Sequence, residues 1–185
     1  MGLSAAAIKD GLDHVAALEP LIGEAIVRAG YPEPRLRSTG YVTLLRTIVG
    51  QQVSVAAAAS VWNKLAALLG DDIPPEALLA ADFDSLRACG FSRQKQGYAR
   101  SLCELVVSGE LKLDALPADD EEAIAELTRI KGIGRWSAEI YLLFAEGRPD
   151  IWPAGDLAVQ AGLGKLLGHE VRPDEKAVRD RKSVV

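Results

Sequence analysis

The sequence predicts an all-α protein, a compact bundle of many short helices. Ala and Leu, both strong helix formers, recur throughout the 185 residues, and 49% of the chain is hydrophobic. No stretch shows the strict alternation of apolar and polar residues that is typical of a half-buried strand. Gly, Pro, Ser and Asp interrupt the apolar pattern at short intervals. These frequent turns favour packed short helices over a long coiled coil.

Capping and breaking residues predict where the helices begin and end. One apolar stripe over 4–29 predicts two helices, because Pro20 divides the stripe and Gly30 ends it. Ser54 and Ser92 are good N-caps, since their hydroxyls can accept a free backbone N–H. The remaining elements, in chain order, are a loop over 31–39, helices over 41–49, 55–69, 75–81, 82–90, 93–107, 119–128, 134–146 and 156–167, and a short last helix that opens at Pro173.

The composition bounds the size and the charge of the protein. A chain of this length can bury roughly 70% of its unfolded surface, as one unit or as two small lobes. The net charge of −5 counts against a protein that coats DNA nonspecifically. The basic residues nevertheless cluster, which could leave one positive surface on an acidic body; ordinary solvated helix faces are the alternative. The cluster consists of Arg93, Lys95, Arg100, Arg129, Lys131 and Arg135.

The sequence disfavours several classes of protein and site. It contains no run of about eighteen apolar residues, so we expect no membrane span. Its first nine residues lack the charged and apolar regions of a secretory signal, so we expect a cytoplasmic protein. Cys89 and Cys103 are expected to be buried, reduced thiols. Neither His14 nor His169 has neighbouring Cys ligands that would complete a metal site.

Residues 131–135, Lys-Gly-Ile-Gly-Arg, predict a tight hairpin between two helices. Gly132 and Gly134 can adopt a positive φ without steric penalty, and neither has a side chain to keep a phosphate from the backbone amides. The free N–H groups of the following helix favour an anion there, and Lys131 and Arg135 would add positive charge. The pattern indicates a phosphate grip, with a plain connection between two helices as the alternative.

Asp156 is the only acidic residue within 152–163, and it closes the segment Pro-Ala-Gly-Asp at 153–156. One interpretation is an N-cap for the next helix, although Val159 at the third helical position leaves the reciprocal capping box incomplete. The other interpretation is chemical. An ionised carboxylate could stabilise the positive charge that develops on a sugar as a glycosidic bond stretches, or it could orient a water molecule. The sequence leaves both interpretations open.

Four segments together resemble one family. The hairpin region 130–138 and the segment 153–156 accompany Ile-Val-Gly-Gln-Gln-Val-Ser-Val at 48–55 and Gly-Phe-Ser-Arg-Gln-Lys at 90–95. They resemble the helix-hairpin-helix–GPD superfamily of DNA glycosylases, and within it the alkylated-base branch, the 3-methyladenine DNA glycosylase II type. The resemblance covers about 41–167. It implies an all-α fold with two helical lobes and a base-binding cleft between them.

The resemblance also implies roles for individual residues. Asp156 would be the catalytic residue. Gln52 would enter the DNA stack where the damaged base leaves, although Gln51 and Gln52 could instead cap helix ends. The implied DNA contacts are Gln52, Arg93, Lys131, Gly132, Ile133, Gly134 and Arg135. No cofactor is required, but a structural K⁺ or Na⁺ could be held by the backbone of Thr128, Ile130 and Ile133.

Trp136 stands where lyase-capable members of the family carry a lysine that forms a Schiff base with the sugar. Because an indole has no nucleophile, the resemblance implies a monofunctional enzyme. The indole face could stack on a flipped, cationic base; a core aromatic at a helix start is the alternative. The implied base pocket consists of Trp136, Tyr41 and Ile140, the last at a position that is aromatic in the family.

The resemblance divides the chain into a central lobe with the hairpin, about 41–148, and a second lobe made of about 1–40 and 149–185. We expect the second lobe to be incomplete, because 176–185 lacks the Trp- and Pro-rich helix typical of the family. The implied function is excision of alkylated purines such as 3-methyladenine from double-stranded DNA by a bacterial, cytoplasmic monomer, which leaves an abasic site. A noncatalytic DNA-binding module that uses only the hairpin is the alternative.

Overall fold

The computed structural model describes residues 2–182, and every regular element within that range is a helix, which confirms the all-α prediction. Met1 and residues 183–185, the end of the atypical C-terminal tail, lie outside the described residues. The helices, in chain order, are α1 (Ala5–Leu18), α2 (Pro20–Ala29), α3 (Tyr41–Gly50), α4 (Val55–Leu69), α5 (Pro75–Ala80), α6 (Phe83–Ala88), α7 (Arg93–Val107), α8 (Asp120–Thr128), α9 (Arg135–Tyr141), a π-helical segment (Leu142–Glu146), α10 (Leu157–Leu166) and α11 (Glu175–Arg181).

The described chain divides into two compact units. Ser38–Tyr141 form the first unit, which contains residues 131–135 and is here called the hairpin unit. The described residues before Ser38 and after Tyr141 form the second unit, which contains Asp156 and is here called the aspartate unit. Each unit therefore carries one of the two features that the sequence singles out.

Helix α7 is central to the hairpin unit, where it packs against α3, α5 and α6. Its buried apolar side chains, Ala99, Leu102 and Cys103, recur at helical spacing and so share one face. The predicted N-cap Ser92 accepts a backbone N–H at 3.3 Å. The core of this unit therefore holds α7 in place along one face, while other residues of α7 contact the hairpin.

The aspartate unit has a smaller core. Helix α1 packs against α2, α2 contacts α10, and α10 contacts α11. Pro20 begins α2 at a position where its missing N–H costs nothing, which confirms the predicted division of 4–29. Neither α1 nor α2 contains a buried residue. The buried aliphatic side chains of this unit are instead Leu142, Ala145, Ile151, Ala154 and Val178.

Most helix ends lie within one or two residues of the prediction, and two differences have a clear physical cause. The single helix expected over 134–146 is α9 followed by the π-helical segment Leu142–Glu146. A π-helical turn accommodates one extra residue and uses the same residue types as an α-helix, so apolar spacing does not reveal it. The last helix begins at Glu175 rather than at Pro173, because Asp174 supplies the N-cap and accepts a backbone N–H at 2.8 Å.

Some classes of site have no counterpart in the described part of the chain. Within residues 2–182, no helix has the length and apolar character of a membrane span. The same residues contain no group of three or more His, Cys, Asp and Glu side chains arranged to hold a metal ion. Cys89 and Cys103 are buried free thiols, as predicted. Burial raises the pKa of the Cys103 thiol to about 11, so this thiol stays protonated near neutral pH.

Candidate functional site

The predicted hairpin joins α8 to α9. The N–H of Ile133 donates to the carbonyl of Ile130 at 3.0 Å and closes the turn. The carbonyl of Gly134 accepts the N–H of Ala138 at 3.0 Å, so α9 starts directly after Gly134. Gly132 adopts a φ of +82°, whereas Gly134 does not adopt a positive φ. The sharp turn therefore uses the conformational freedom of Gly132 alone.

The two hairpin glycines have different surroundings. A Cβ added to Gly132 would overlap the ring of Tyr98, so this glycine is required by close packing against α7 as well as by its φ. A Cβ added to Gly134 would meet nothing within 4 Å. Gly134 therefore leaves open space at the start of α9, where backbone N–H groups are favourable for an anion.

Side chains from two other elements hold the hairpin. The backbone N–H of Lys131 donates to the hydroxyl of Ser101 in α7 at 3.1 Å. The amide Nε2 of Gln51, at the end of α3, donates to the carbonyl of Gly132 at 2.8 Å. The hairpin is thus tied both to the central helix and to the loop between α3 and α4. The sequence analysis did not identify Ser101 or Gln51 as site residues.

The two basic residues of the hairpin differ in their partners. The side chain of Arg135 pairs with Glu121 and donates to the buried carboxylate of Glu139 at 2.9 Å. Hydrogen bonds to Glu121, and then the charges of both carboxylates, raise the pKa of Arg135. The side chain of Lys131 is exposed. Lys131 is therefore the stronger candidate for a phosphate contact, and Arg135 first stabilises the hairpin itself.

Other basic residues of the predicted cluster also bind groups within the protein. Arg129 pairs with Glu126 at 2.7 Å and with Glu110 at 3.1 Å. The amino group of Lys95 donates to a backbone carbonyl at the end of α3 at 2.7 Å, and burial lowers its pKa. The guanidinium of Arg93 lies over the ring of Phe83, 4.5 Å from its centroid, and this residue is exposed. Arg93 and Arg129 are both exposed, but Arg129 is paired with two carboxylates, whereas Arg93 is the first residue of α7.

Gln52 occupies the loop between α3 and α4 in an unusual conformation. Its φ is +55°, a region that residues other than glycine rarely adopt, and its side chain is exposed. Its neighbour Gln51 is the C-cap residue of α3, and the Gln51 side chain reaches the hairpin. The capping alternative thus describes Gln51 better than Gln52. Such backbone strain often marks residues held in place for a function.

The three predicted pocket residues differ in their exposure and contacts. The Trp136 side chain is 47% exposed, which argues against the alternative of a core aromatic. Ile140 is half-buried. The hydroxyl of Tyr41 lies 3.3 Å from the sulfur of Cys103, and burial raises the pKa of this tyrosine. Tyr41 is therefore engaged with α7 inside the hairpin unit, and Trp136 is the most accessible of the three.

Asp156 is an N-cap in the structure. Its Oδ1 accepts the N–H groups of Ala158 and Val159, at 2.8 and 3.1 Å. The missing capping box is thus replaced by two bonds to a single carboxylate oxygen. Both bonds and the positive end of α10 favour the ionised form of a carboxylate. The N-cap and the chemical interpretation are compatible, because the two cap bonds hold the carboxylate at the start of α10.

The turn before Asp156 is supported by two polar side chains that the sequence analysis did not select for this role. The indole Nε1 of Trp152 donates to the carbonyl of Val178 in α11 at 2.8 Å. The amide of Gln160 in α10 donates to the carbonyl of Ala154 at 2.9 Å. A polar residue among the apolar positions of a short helix was the available signal in the case of Gln160.

Comparison with known proteins identifies the family. A family model described as an HhH-GPD superfamily base excision DNA repair protein matches residues 45–184. The chain belongs to this superfamily. Within it, DNA-3-methyladenine glycosylase 1 of Schizosaccharomyces pombe is 38% identical over 130 residues, which cover 68% of this chain and 57% of that protein.

Solved structures of HhH-GPD proteins share the fold over almost the whole chain. A DNA-3-methyladenine glycosidase from Bacillus halodurans superposes with a TM-score of 0.85 at 31% identity, covering 94% of this chain and 80% of that one. The 3-methyladenine DNA glycosylase Mag1 of S. pombe, in complex with abasic DNA, has a TM-score of 0.78 at 30% identity and covers 95% and 88%. The matched region spans 57% and 52% of the lengths of two curated yeast relatives.

Proposed function

We propose that this protein is a monofunctional DNA glycosylase that excises alkylated purines, such as 3-methyladenine, from double-stranded DNA and leaves an abasic site. Membership of the HhH-GPD superfamily supports DNA repair chemistry, and the names of its relatives support alkylated bases as substrates. The observation that carries the proposal is the carboxylate of Asp156, fixed through Oδ1 at the start of α10.

The hairpin supplies the proposed DNA contact. Gly134 has open space where a side chain would begin, so a phosphate could approach and accept hydrogen bonds from backbone amides, with Lys131 adding positive charge. These contacts read no sequence, which suits an enzyme that must act wherever a damaged base occurs. Gln52 would fill the space that the flipped base leaves in the DNA stack.

Asp156 supplies the proposed chemistry. An alkylated purine carries a positive charge, so it leaves readily with the electron pair of the C1′–N bond. The sugar then carries the positive charge, which an adjacent carboxylate stabilises. Water adds its oxygen to C1′ and loses a proton, which completes hydrolysis.

Trp136 determines the class of glycosylase in this proposal. Its indole cannot form a Schiff base, so the reaction ends at the abasic site without cleavage of the strand. The half-exposed ring offers an aromatic face on which a cationic base could stack, a contact worth about 0.5–2 kcal/mol. A flipped base that is already charged would therefore bind better than its neutral parent.

We further propose that the protein works as a cytoplasmic monomer and that the hairpin can hold a structural monovalent cation. The candidate ligands are the backbone oxygens of Thr128, Ile130 and Ile133. Their chemistry fits K⁺ or Na⁺, since hard cations bind carbonyl oxygens. The Ile130 oxygen already accepts one N–H, but a carbonyl oxygen has two lone pairs. Such a cation would order the hairpin and takes no part in bond cleavage.

The test compares base release from methylated duplex DNA by the wild type, Asp156→Asn and Asp82→Asn. Asn is also a good N-cap, so Asp156→Asn should change the free energy of unfolding by less than about 1 kcal/mol. Its rate of base release should fall roughly 100-fold or more, because the charge is lost. Its affinity for abasic duplex should stay within about threefold of wild type.

Asp82→Asn is the matched control. Asp82 caps α6 by accepting the N–H of Ser85 at 2.9 Å, so the variant also loses a capping charge, but in the hairpin unit. It should keep the wild-type rate. Normal base release by Asp156→Asn would refute the role of Asp156. A wild type that binds DNA without releasing base would be a noncatalytic module, and borohydride-trapped adducts would indicate a lyase.

A further inference from the structure

Gln160 is a buried polar residue that the proposed chemistry does not use. It is only 6% exposed and lies in the first turns of α10. Its backbone N–H donates to the carbonyl of Asp156 at 2.9 Å, as an ordinary helical bond. Its side-chain Nε2 reaches further back and donates to the carbonyl of Ala154, also at 2.9 Å. Gln160 therefore holds the chain on both sides of Gly155.

The position of Gly155 explains why such a link matters. Glycine is the residue with the most backbone freedom, and it directly precedes Asp156. The turn has two other internal bonds: Ala154 N–H donates to Trp152 at 2.8 Å, and Asp156 N–H donates to Pro153 at 2.9 Å. Both stay within the turn and do not reach α10. The Gln160 amide links the part of the turn before Gly155 to the helix, whereas the Asp156 carboxylate bonds α10 from after Gly155.

Packing alone does not require an amide at this position. An apolar side chain of similar length, such as Met, would fill the same space without burying a polar group. A buried amide is favourable only when its hydrogen bonds are made. Here the amide of Gln160 donates to the carbonyl of Ala154, two residues before Asp156. The hydrogen bond that Gln160 makes, rather than the space that it fills, therefore explains why a glutamine occupies this position.

We propose that Gln160 is a positioning residue for Asp156, acting through the carbonyl of Ala154. It limits rotation of the peptides around Gly155 and so keeps the Asp156 carboxylate in the orientation that reaches the sugar. The proposal rests on the proposed function, since it assigns Asp156 the chemical step. It predicts that loss of the amide slows base release more than it weakens DNA binding, because the DNA contacts lie in the hairpin unit.

The chain provides a matched control for this test. Gln96 is also a buried glutamine, 3% exposed, and its Nε2 also donates to backbone carbonyls, those of Phe83 and Phe91. It lies in α7 of the hairpin unit. Gln96→Met and Gln160→Met therefore make the same chemical change, the loss of one buried amide, at sites with different neighbours. A purely structural role predicts the same consequences for both variants.

The first readout is single-turnover base release from methylated duplex, together with affinity for abasic duplex. Gln160→Met should release base roughly tenfold more slowly, with its affinity for abasic duplex within about twofold of wild type. Gln96→Met should keep the wild-type rate even if its melting temperature falls. Equal rates for Gln160→Met and Gln96→Met would overturn the proposal.

The second readout does not depend on activity. Asp156 Oδ1 accepts the N–H groups of Ala158 and Val159, so amide hydrogen exchange at these residues reports whether the carboxylate is held. Their exchange, relative to amides in α7, should be at least about fivefold faster in Gln160→Met and unchanged in Gln96→Met. Unchanged exchange in Gln160→Met would overturn the proposal even if the rate fell.

These two readouts separate the failure of this inference from the failure of the proposed function. A wild type without base release would refute the function, while the exchange rates would still decide whether Gln160 positions Asp156. If Gln160→Met does not fold, Gln160→Asn takes its place. That variant keeps a polar amide, but its donor lies one methylene short of Ala154, so the same slower release and faster exchange are expected.

Discussion

Two helices of this protein begin in opposite ways. Helix α9 starts after Gly134, which brings no side chain and leaves open space at the first turn. Helix α10 starts after Asp156, whose carboxylate accepts two of the first backbone N–H groups. One helix start is thus open to an external anion, and the other carries an anion of its own. In the proposed enzyme, the first receives a phosphate and the second faces a cationic sugar.

The supports of the two helix starts also differ. The hairpin before α9 is held from outside, by Gln51 at the end of α3 and by Tyr98 and Ser101 of α7. The turn before α10 is held by Gln160 of the same helix and, through Trp152, by α11. The proposed DNA contact therefore depends on packing between several helices. The orientation of Asp156 depends mainly on hydrogen bonds between residues that are close in sequence; the bond from Trp152 to Val178 in α11 is the exception.

The largest effect should follow from adding a methyl group to the hairpin. Gly132→Ala places a Cβ in the ring of Tyr98 and forces alanine into a positive φ. We expect a loss of about 2–3 kcal/mol in the free energy of unfolding, measured with urea. The matched change in the other turn, Gly155→Ala, meets only the flexible Glu175 carboxylate at 3.3 Å and should cost less than about 1 kcal/mol. Equal losses would contradict this contrast.

The next effect comes from giving α9 the kind of start that α10 has. Gly134→Asp should cap α9 and leave stability unchanged or slightly improved. Its affinity for abasic duplex should fall roughly 30-fold, about 2 kcal/mol, because a carboxylate would occupy the phosphate position. Gly134→Asn adds a side chain of the same size without the charge and should lose only a few-fold. If both variants bind alike, steric exclusion rather than charge would be responsible.

A smaller effect tests the external support of the hairpin. Gln51→Met keeps the length of the side chain but removes the bond to the Gly132 carbonyl. We expect a loss of about 1 kcal/mol in the free energy of unfolding. Its neighbour provides the control: Gln52 is exposed, so Gln52→Met should leave stability within about 0.5 kcal/mol of wild type. Gln52→Met should instead lower the affinity for DNA that contains a flipped base.

Sequence reasoning succeeded where local chemistry decides the structure. The caps Ser54 and Ser92, the division at Pro20 and the turn at Gly132 depend on residues within a few positions, and the structure confirms each. Sequence reasoning could not identify Gln51 as a support of the hairpin, because Gln51 and its partner Gly132 are 81 residues apart in the chain. Only the folded chain brings such residues together.

The same limit applies to charge. The sequence treats Lys131 and Arg135 as equivalent cations beside the hairpin. In the structure the two residues differ, because Arg135 pairs with Glu121 and Glu139, whereas the side chain of Lys131 is exposed. Glu121 is fourteen residues from Arg135 and lies in a different helix. Which cation is available for DNA is thus a property of tertiary structure.

The smallest effect should appear in the salt dependence of binding, and it tests that separation. A cation that contacts one phosphate releases about one counterion, so Lys131→Gln should reduce the slope of log affinity against log salt concentration by about 0.9. Arg135→Gln should leave the slope nearly unchanged but lower the melting temperature, because it removes a partner of the buried Glu139. Affinities for an abasic duplex, measured at several salt concentrations, give both slopes. A slope that changes only in Arg135→Gln would reverse the roles of the two residues and place the phosphate on the helix side of the hairpin.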